Sequence, residues 1–279
     1  MQTIRTLSAL RAATAPWRKA GERIALVPTM GALHDGHMTL VREAKRIADH
    51  VIVSIFVNPK QFGPNEDLDA YPRREAADAA LLAGEGIGLL WAPDVSVMYP
   101  DGFASTISVA GLDAHLCGAA RPGHFDGVAT VVAKLFNQVA PHVALFGEKD
   151  WQQLAIIRRM ASDLDFDLDI VGVPTVREAD GLALSSRNAY LTDDQRAAAS
   201  ALPAALAQAA ATIVDGRDVA TALETAKAAI LAGGFASIDY LELRDGANLE
   251  SCATLCEGVR LFVAARIGTT RLIDNIKVG

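Results

Sequence analysis

The chain has 279 residues, 51% of them apolar and 21% charged, with a formal net charge of −7. That length and balance fit one large soluble domain or two of ordinary size, and the acidic excess argues against a general nucleic-acid surface, which needs a basic face. Three cysteines, Cys117, Cys252 and Cys256, are too few and too irregularly spaced for a disulfide framework and point to a reducing cytoplasm.

The N-terminus lacks a signal-peptide core, because Arg5, Arg11 and Arg18 interrupt every apolar run. Residues 1–21 hold four basic residues and no acidic one, which faintly resembles an organellar transit peptide. A strand begins almost at once afterwards, however, and little chain is left to discard. That strand is residues 24–27, and a second, β-branched one follows at 51–57. The second is the most apolar stretch of the chain, yet far shorter than the roughly 20 residues of a membrane-spanning helix. Between them Leu40, Val41, Ala44, Ile47 and Ala48 share one helical face, with Arg42, Glu43, Lys45 and Arg46 opposite. Residues 87–91 and 143–146 read as further strands, and Val128, Val131, Val132, Leu135, Phe136 and Val139 as another amphipathic helix. Strands alternating with helices imply a doubly wound, parallel, Rossmann-like α/β sheet over residues 1–176. Ligands of such sheets bind at the carboxyl ends of the strands. From 177 to 279 the pattern changes to a smaller α+β domain. A capping box, Thr192-Asp-Asp-Gln195, opens an alanine-rich helix, a second helix covers 219–231, and strands follow at 238–243, 259–265 and 272–278.

By that rule the chemistry sits in the loops after the first, second and fourth strands. The first loop, VPTMGALHDGH at 27–37, joins a strand to a helix. Gly31 and Gly36 allow close backbone approach to a nucleotide, and a helix start offers unpaired N–H groups and a positive dipole end to phosphate. His34 and His37 lie three apart, on one side of the first turn, and can donate to phosphate oxygens as charge develops. The positive helix end favours their neutral forms. Zinc would need a third ligand, and His115, Cys117 and His124 have no recognised zinc spacing.

In the second loop Asn58 and Gln61 carry donors and acceptors suited to a substrate with hydroxyl and carboxylate groups; Pro59 and Gly63 shape the turn. The stretch from Asp67 to Arg73 reads as a lid or a solvated loop. After the fourth strand, Lys149 is a phosphate cation by position, and Asp150 either binds Mg²⁺ or starts a helix bearing Gln153. Ser185, Ser186 and Arg187 at the domain junction form a phosphate clamp. Arg121 adds a cation before a helix that Asp126 could instead cap.

Five segments, PTMGALHDGH, FVNPKQFGPNEDLDAYPR, RPGHFDGV, LFGEKDWQQL and LSSRN, occur in the order and spacing of the pantothenate synthetase family, within the HxGH nucleotidylyltransferase superfamily, and the chain resembles that family over essentially its whole length. The resemblance implies ATP-dependent joining of pantoate to β-alanine through a pantoyl adenylate, with release of pyrophosphate and AMP. On this resemblance Met30, Gly31, Ala32, Leu33, His34, Asp35, Gly36 and His37 line the ATP site. His37 is then the proton donor, with His34 and Lys149 as its catalytic companions. Gly147, Glu148, Lys149, Asp150, Val176, Leu184, Ser185, Ser186 and Arg187 complete the site, and Mg²⁺ accompanies ATP. Gln61 and Gln153 hold pantoate, with Asn58 and Met30 beside them, and Gln61 also borders the β-alanine position. A homodimer through the N-terminal domain is implied too. Leu184 stands where many members carry methionine, a near-isosteric exchange.

Three other readings compete. A nucleotidylyltransferase that keeps AMP on its product shares His-x-Gly-His without needing Gln61 and Gln153. An aminoacyl-tRNA synthetase fits poorly, since the chain is short and acidic and its LSSRN segment lacks that class's lysine. A non-catalytic nucleotide sensor has no need of the histidine pair or Lys149.

Overall fold

The computed structural model describes residues 1–64, 66 and 68–279. Asn65 and Asp67, the latter the first residue of the candidate lid loop, lie outside the described residues. The first domain is built on strands β1 (Gln2–Ile4), β2 (Ile24–Thr29), β3 (His50–Ile55), β4 (Leu89–Trp91), β5 (Val143–Gly147) and β6 (Asp169–Val173). They form one sheet in the order β1-β4-β3-β2-β5-β6, with every neighbouring pair parallel. Its helices are α1 (Leu7–Ala20), α2 (Asp35–Ile47), α3 (Glu75–Gly84), the short α4 (Val95–Met98) and α5 (Leu116–Ala120), α6 (His124–Val139) and α7 (Trp151–Asp163).

Side-chain alternation along the strands divides the core into two layers. Along β2, Ile24 and Leu26 enter the layer containing Leu10 of α1, Phe136 of α6 and Leu154 of α7. Ala25 and Val27 enter the opposite layer, with Val41 of α2 and Leu82 of α3. The chain leaves β2 through α2 toward β3 on one side, while β5 pairs on the other. This reversal between β2 and β5 is the topological switch point, where a crevice opens at the strands' carboxyl ends.

Both edge strands, β1 and β6, lie beyond the expectation from sequence. Two of the three β1 residues are exposed, and only Val173 of β6 is buried. Neither is therefore covered on both faces as a central strand is: β1 offers only Ile4 as an apolar residue, and Gly172 interrupts the short β-branched run of β6. Residues 2–20 belong to the fold, since Ile4 pairs with Trp91 and Leu10 is fully buried.

The second domain packs α8 (Asp193–Ala198), α9 (Ala201–Val214) and α10 (Val219–Ala232) against an antiparallel sheet. That sheet has the order β7 (Ser237–Asp245), β8 (Val259–Ile267), β9 (Thr270–Lys277). The capping box is present: Thr192 accepts from the Gln195 N–H, and Gln195 accepts from that of Thr192. The run Asp193–Val214 is long and apolar enough to cross a bilayer by composition. Leu202, Leu206, Ala209 and Ile213 are nevertheless buried with Leu241, Val263 and Leu272 of the sheet, so it is a core segment.

Candidate active site

The HxGH loop crosses the switch point from β2 to α2. Gly31 and Ala32 both take left-handed backbone, with φ of 85° and 51°, which is unfavourable for alanine. Asp78 of α3, itself buried, stabilises the bend by accepting the N–H groups of Ala32 and Leu33, each at 2.9 Å. Thr29 Oγ1 accepts from the Gly31 N–H at 3.2 Å and donates to the Ser54 carbonyl. The amides of Gly31, Ala32 and Leu33 are thus spent within the protein.

The imidazoles carry the donors instead. His34 Nδ1 accepts from the Gly36 N–H at 3.1 Å, and His37 Nδ1 accepts from the His34 N–H at 3.3 Å. These bonds assign both protons to Nε2 in the neutral rings, which stand 4.1 Å apart. A Cβ at Gly36 would lie 2.9 Å from His34 Cε1, so the fold-back of His34 needs that glycine. Burial lowers the His37 pKa to about 3, helped by His34 and Lys149 and opposed by Asp150. Burial and Lys149 likewise lower His34. The neutral state agrees with the expectation from sequence, but its main cause is desolvation rather than the helix end.

On the β3 side the NPKQ turn, a 3₁₀ turn over Pro59–Gln61, supplies Gln61. Asn58 is 1% exposed and saturated. Its Nδ2 donates to Gln61 Oε1 and the Gly127 carbonyl, both at 3.0 Å, while Oδ1 accepts from the Lys60 N–H and Tyr99 Oη. Asn58 thus keeps no hydrogen-bonding capacity for a substrate and instead orients Gln61 with Nε2 outward, beside Met30 Sδ. From α6, His124 bonds the Gln61 carbonyl at 2.8 Å and meets Arg121 Nη1 at 2.9 Å. Arg121 grips Glu66 with two bonds of 2.6 Å, so its charge is already paired. Burial, then Arg121, lowers the His124 pKa to about 4. The Cys117 thiol hydrogen-bonds Tyr240 Oη at 3.1 Å. Asp126 lies in the first turn of α6 but does not cap it.

At the end of β5, residues Glu148–Asp150 make one 3₁₀ turn before α7. Lys149 Nζ lies 4.0 Å from Asp150. Asp150 occupies the N-cap position of α7, yet its carboxylate makes no capping bond. Of two adjacent glutamines, Gln152 turns inward and holds the Leu112 and His115 carbonyls, whereas Gln153 faces the crevice. The LSSRN segment closes over the top, with Ser186 Oγ donating to the Ala32 carbonyl at 3.3 Å and the Leu184 N–H bonding the Val176 carbonyl.

These elements enclose a chamber of about 250 Å³ lined by Met30, His34, Gly36, His37, Asn58, Gln61, Gly147, Lys149, Asp150, Gln153, Val176, Leu184, Ser185, Ser186 and Arg187. Gly31, Ala32, Leu33, Asp35 and Glu148 do not line it. The first three shape the loop and Glu148 faces Arg260. A second chamber of about 530 Å³ between the domains shares Lys149, Gln153, Ser185 and Arg187 with it. Thr29, Phe62 and Tyr71, which stand within the motifs without an assigned role, also line the chamber; Asp78 lies outside every motif, and its bonds span more than 40 residues of chain.

Known proteins resemble the chain over its whole length. The model of the Pantoate-beta-alanine ligase family matches residues 2–277. The pantothenate synthetase of Sphingopyxis alaskensis is 66% identical over the full length of both chains. That of Novosphingobium aromaticivorans is 64% identical, covering 100% of this chain and 99% of its own. The crystal structure of pantothenate synthetase from Thermus thermophilus superposes with a TM-score of 0.95 at 48% identity, over 100% of this chain and 99% of that one. A Francisella tularensis pantoate-beta-alanine ligase complexed with beta-gamma ATP and beta-alanine gives a TM-score of 0.84 at 35% identity, over 99% and 97% of the two chains.

Proposed function

The chain belongs to the pantoate-beta-alanine ligase family, and from that premise we propose that it makes pantothenate in two steps through a pantoyl adenylate. In the first, a pantoate carboxylate oxygen attacks the α-phosphorus of ATP, forming a P–O bond as pyrophosphate leaves. In the second, the amine of β-alanine attacks the activated carbonyl, forming the C–N bond as AMP departs and the amine gives up a proton.

The observation that carries this reading is the histidine pair, locked through both Nδ1 atoms beside Lys149 in the chamber that also holds Gln61. Attack of one anion on another is limited by positioning and charge, so fixed donors and cations supply most of the catalysis. His34 and His37 donate from Nε2 to phosphate oxygens while remaining neutral. Lys149 and Arg187 offset phosphate charge, and Gln61 and Gln153 hold pantoate. Among the described residues no group of three His, Cys, Asp or Glu side chains forms a metal cage. This suits magnesium carried in on the triphosphate, with Asp150 as the nearby acidic group. When bound, the ion neutralises phosphate charge. Residues 177–279 act as the closing domain that shields the reactive anhydride from water, and the N-terminal domain forms the homodimer.

The test is exchange of labelled pyrophosphate into ATP. Exchange that requires pantoate but not β-alanine is expected. Exchange appearing only with β-alanine would exclude the stepwise route.

A further inference from the structure

Beyond Gly147 the sheet no longer holds the backbone that carries Lys149, because the β5–β6 pairing ends at Gly147 and Val173. A single 3₁₀ turn is too short to hold itself rigidly. Its carbonyls are gripped from the other domain. Asn275 of β9, 2% exposed, donates from Nδ2 to the carbonyls of Glu148 and Lys149, both at 2.9 Å. Its Oδ1 accepts from Arg260 Nε at 2.8 Å. The amide can have only this orientation, since the flipped one would set Oδ1 against two carbonyls. The surroundings are stiff. Arg260 stacks 3.7 Å above the Trp151 ring, and the neighbouring Asp274 takes two bonds from Arg177, at 2.7 and 2.9 Å.

We propose that Asn275 is a positioning residue for the reaction, through which the second domain sets the register of Lys149 against the nucleotide. The inference rests on the reading of Lys149 as the phosphate cation. Asn275 touches no reacting atom; its two donors hold the turn so that the Lys149 ammonium points into the chamber. Small displacements of such a group are costly, because catalysis by fixed charges depends on alignment.

The experiment is a double-mutant cycle on the full chain, measuring kcat/KM for ATP in pantothenate formation. Asn275→Asp keeps the size and the acceptor for Arg260 but faces two carbonyl oxygens with a carboxylate. Asn275→Ser replaces it if that variant does not fold. The expected loss is about 10-fold or more in the otherwise native chain, and about twofold or less in a Lys149→Ala background. Trp151→Phe breaks another tie between the domains, the Nε1 bond to the Gly246 carbonyl, and should lower the melting temperature without that kinetic loss. Equal fold-losses in both backgrounds, or the same kinetic loss in Trp151→Phe, would make Asn275 merely structural and overturn the proposal. If Lys149→Ala itself keeps full activity, the Lys149 reading fails, and this inference with it.

Discussion

His37 has its Nδ1 occupied by backbone, a second imidazole at 4.1 Å and a pKa lowered to about 3. It should therefore act as a hydrogen-bond donor rather than as an acid that changes charge near neutrality. Replacing it by alanine is expected to lower kcat by roughly 10²–10³, with ATP affinity much less affected. Steady-state kinetics and nucleotide titration of the variant check this; near-normal turnover would remove His37 from the chemistry. Its titration also bears on stability. The pKa values of His37 and His124 fall from 6.5 to about 3 and about 4 on folding, mainly through burial. Between those values the unfolded chain binds protons that the native chain does not, so stability rises with pH across this window. The contribution is complete above about 6.5 and is lost as the pH falls through the folded values. Urea midpoints should drop from pH 7.5 to pH 5, and a His37→Gln/His124→Gln variant should flatten that slope. An unaltered slope would mean that other groups govern the acid side.

The elements that carry the site touch through glycine. A Cβ on Gly127 of α6 would fall 2.2 Å from the Lys60 carbonyl oxygen and 2.8 Å from Gln61 Cα. Both are backbone atoms, so the helix and the turn would have to separate. Gly127→Ala is expected to destabilise the protein by about 1–3 kcal/mol. It should also raise the KM for pantoate more than that for ATP, because Gln61 moves while the histidines do not. Thermal melts and separate substrate titrations distinguish this from a uniform loss. The HxGH motif is legible in the sequence because its parts are adjacent in the chain: a strand, two glycines and a helix start with paired histidines. Asp78 is not, since a lone aspartate in an alanine-rich helix shows nothing of the loop 46 residues away that it holds. Asn58 misleads for a related reason. Its amide suits a hydroxy acid in isolation, but folding commits every donor and acceptor it has to protein partners.

At the scale of the molecule, the proposed closure on the substrates can be tested directly. Saturation with ATP and pantoate should reduce the radius of gyration in solution scattering; an unchanged value would limit any rearrangement to the LSSRN segment. The two Asn275 bonds predict that the turn bearing Lys149 moves with the second domain in any such closure. The parallel sheet and the smaller antiparallel sheet after it followed from the alternation of strand and helix patterns, but the outer strands β1 and β6 of the first did not. Each has a single buried residue; β1 has one apolar side chain to show and Gly172 breaks the β-branched run of β6, so neither reads as a central strand.

The sequence by itself determined the fold class and the local motifs, and so the family. Periodicity, glycine placement and the histidine pair all act within one or two turns of chain. Only the tertiary structure decided which groups are spent on the protein and which remain for substrate. The amides of Ala32 and Leu33 went to Asp78, Asn58 to Gln61 and the carbonyls of Glu148 and Lys149 to Asn275. Hydrogen-bonding capacity is finite, and partners distant in the chain are assigned only when the domains pack.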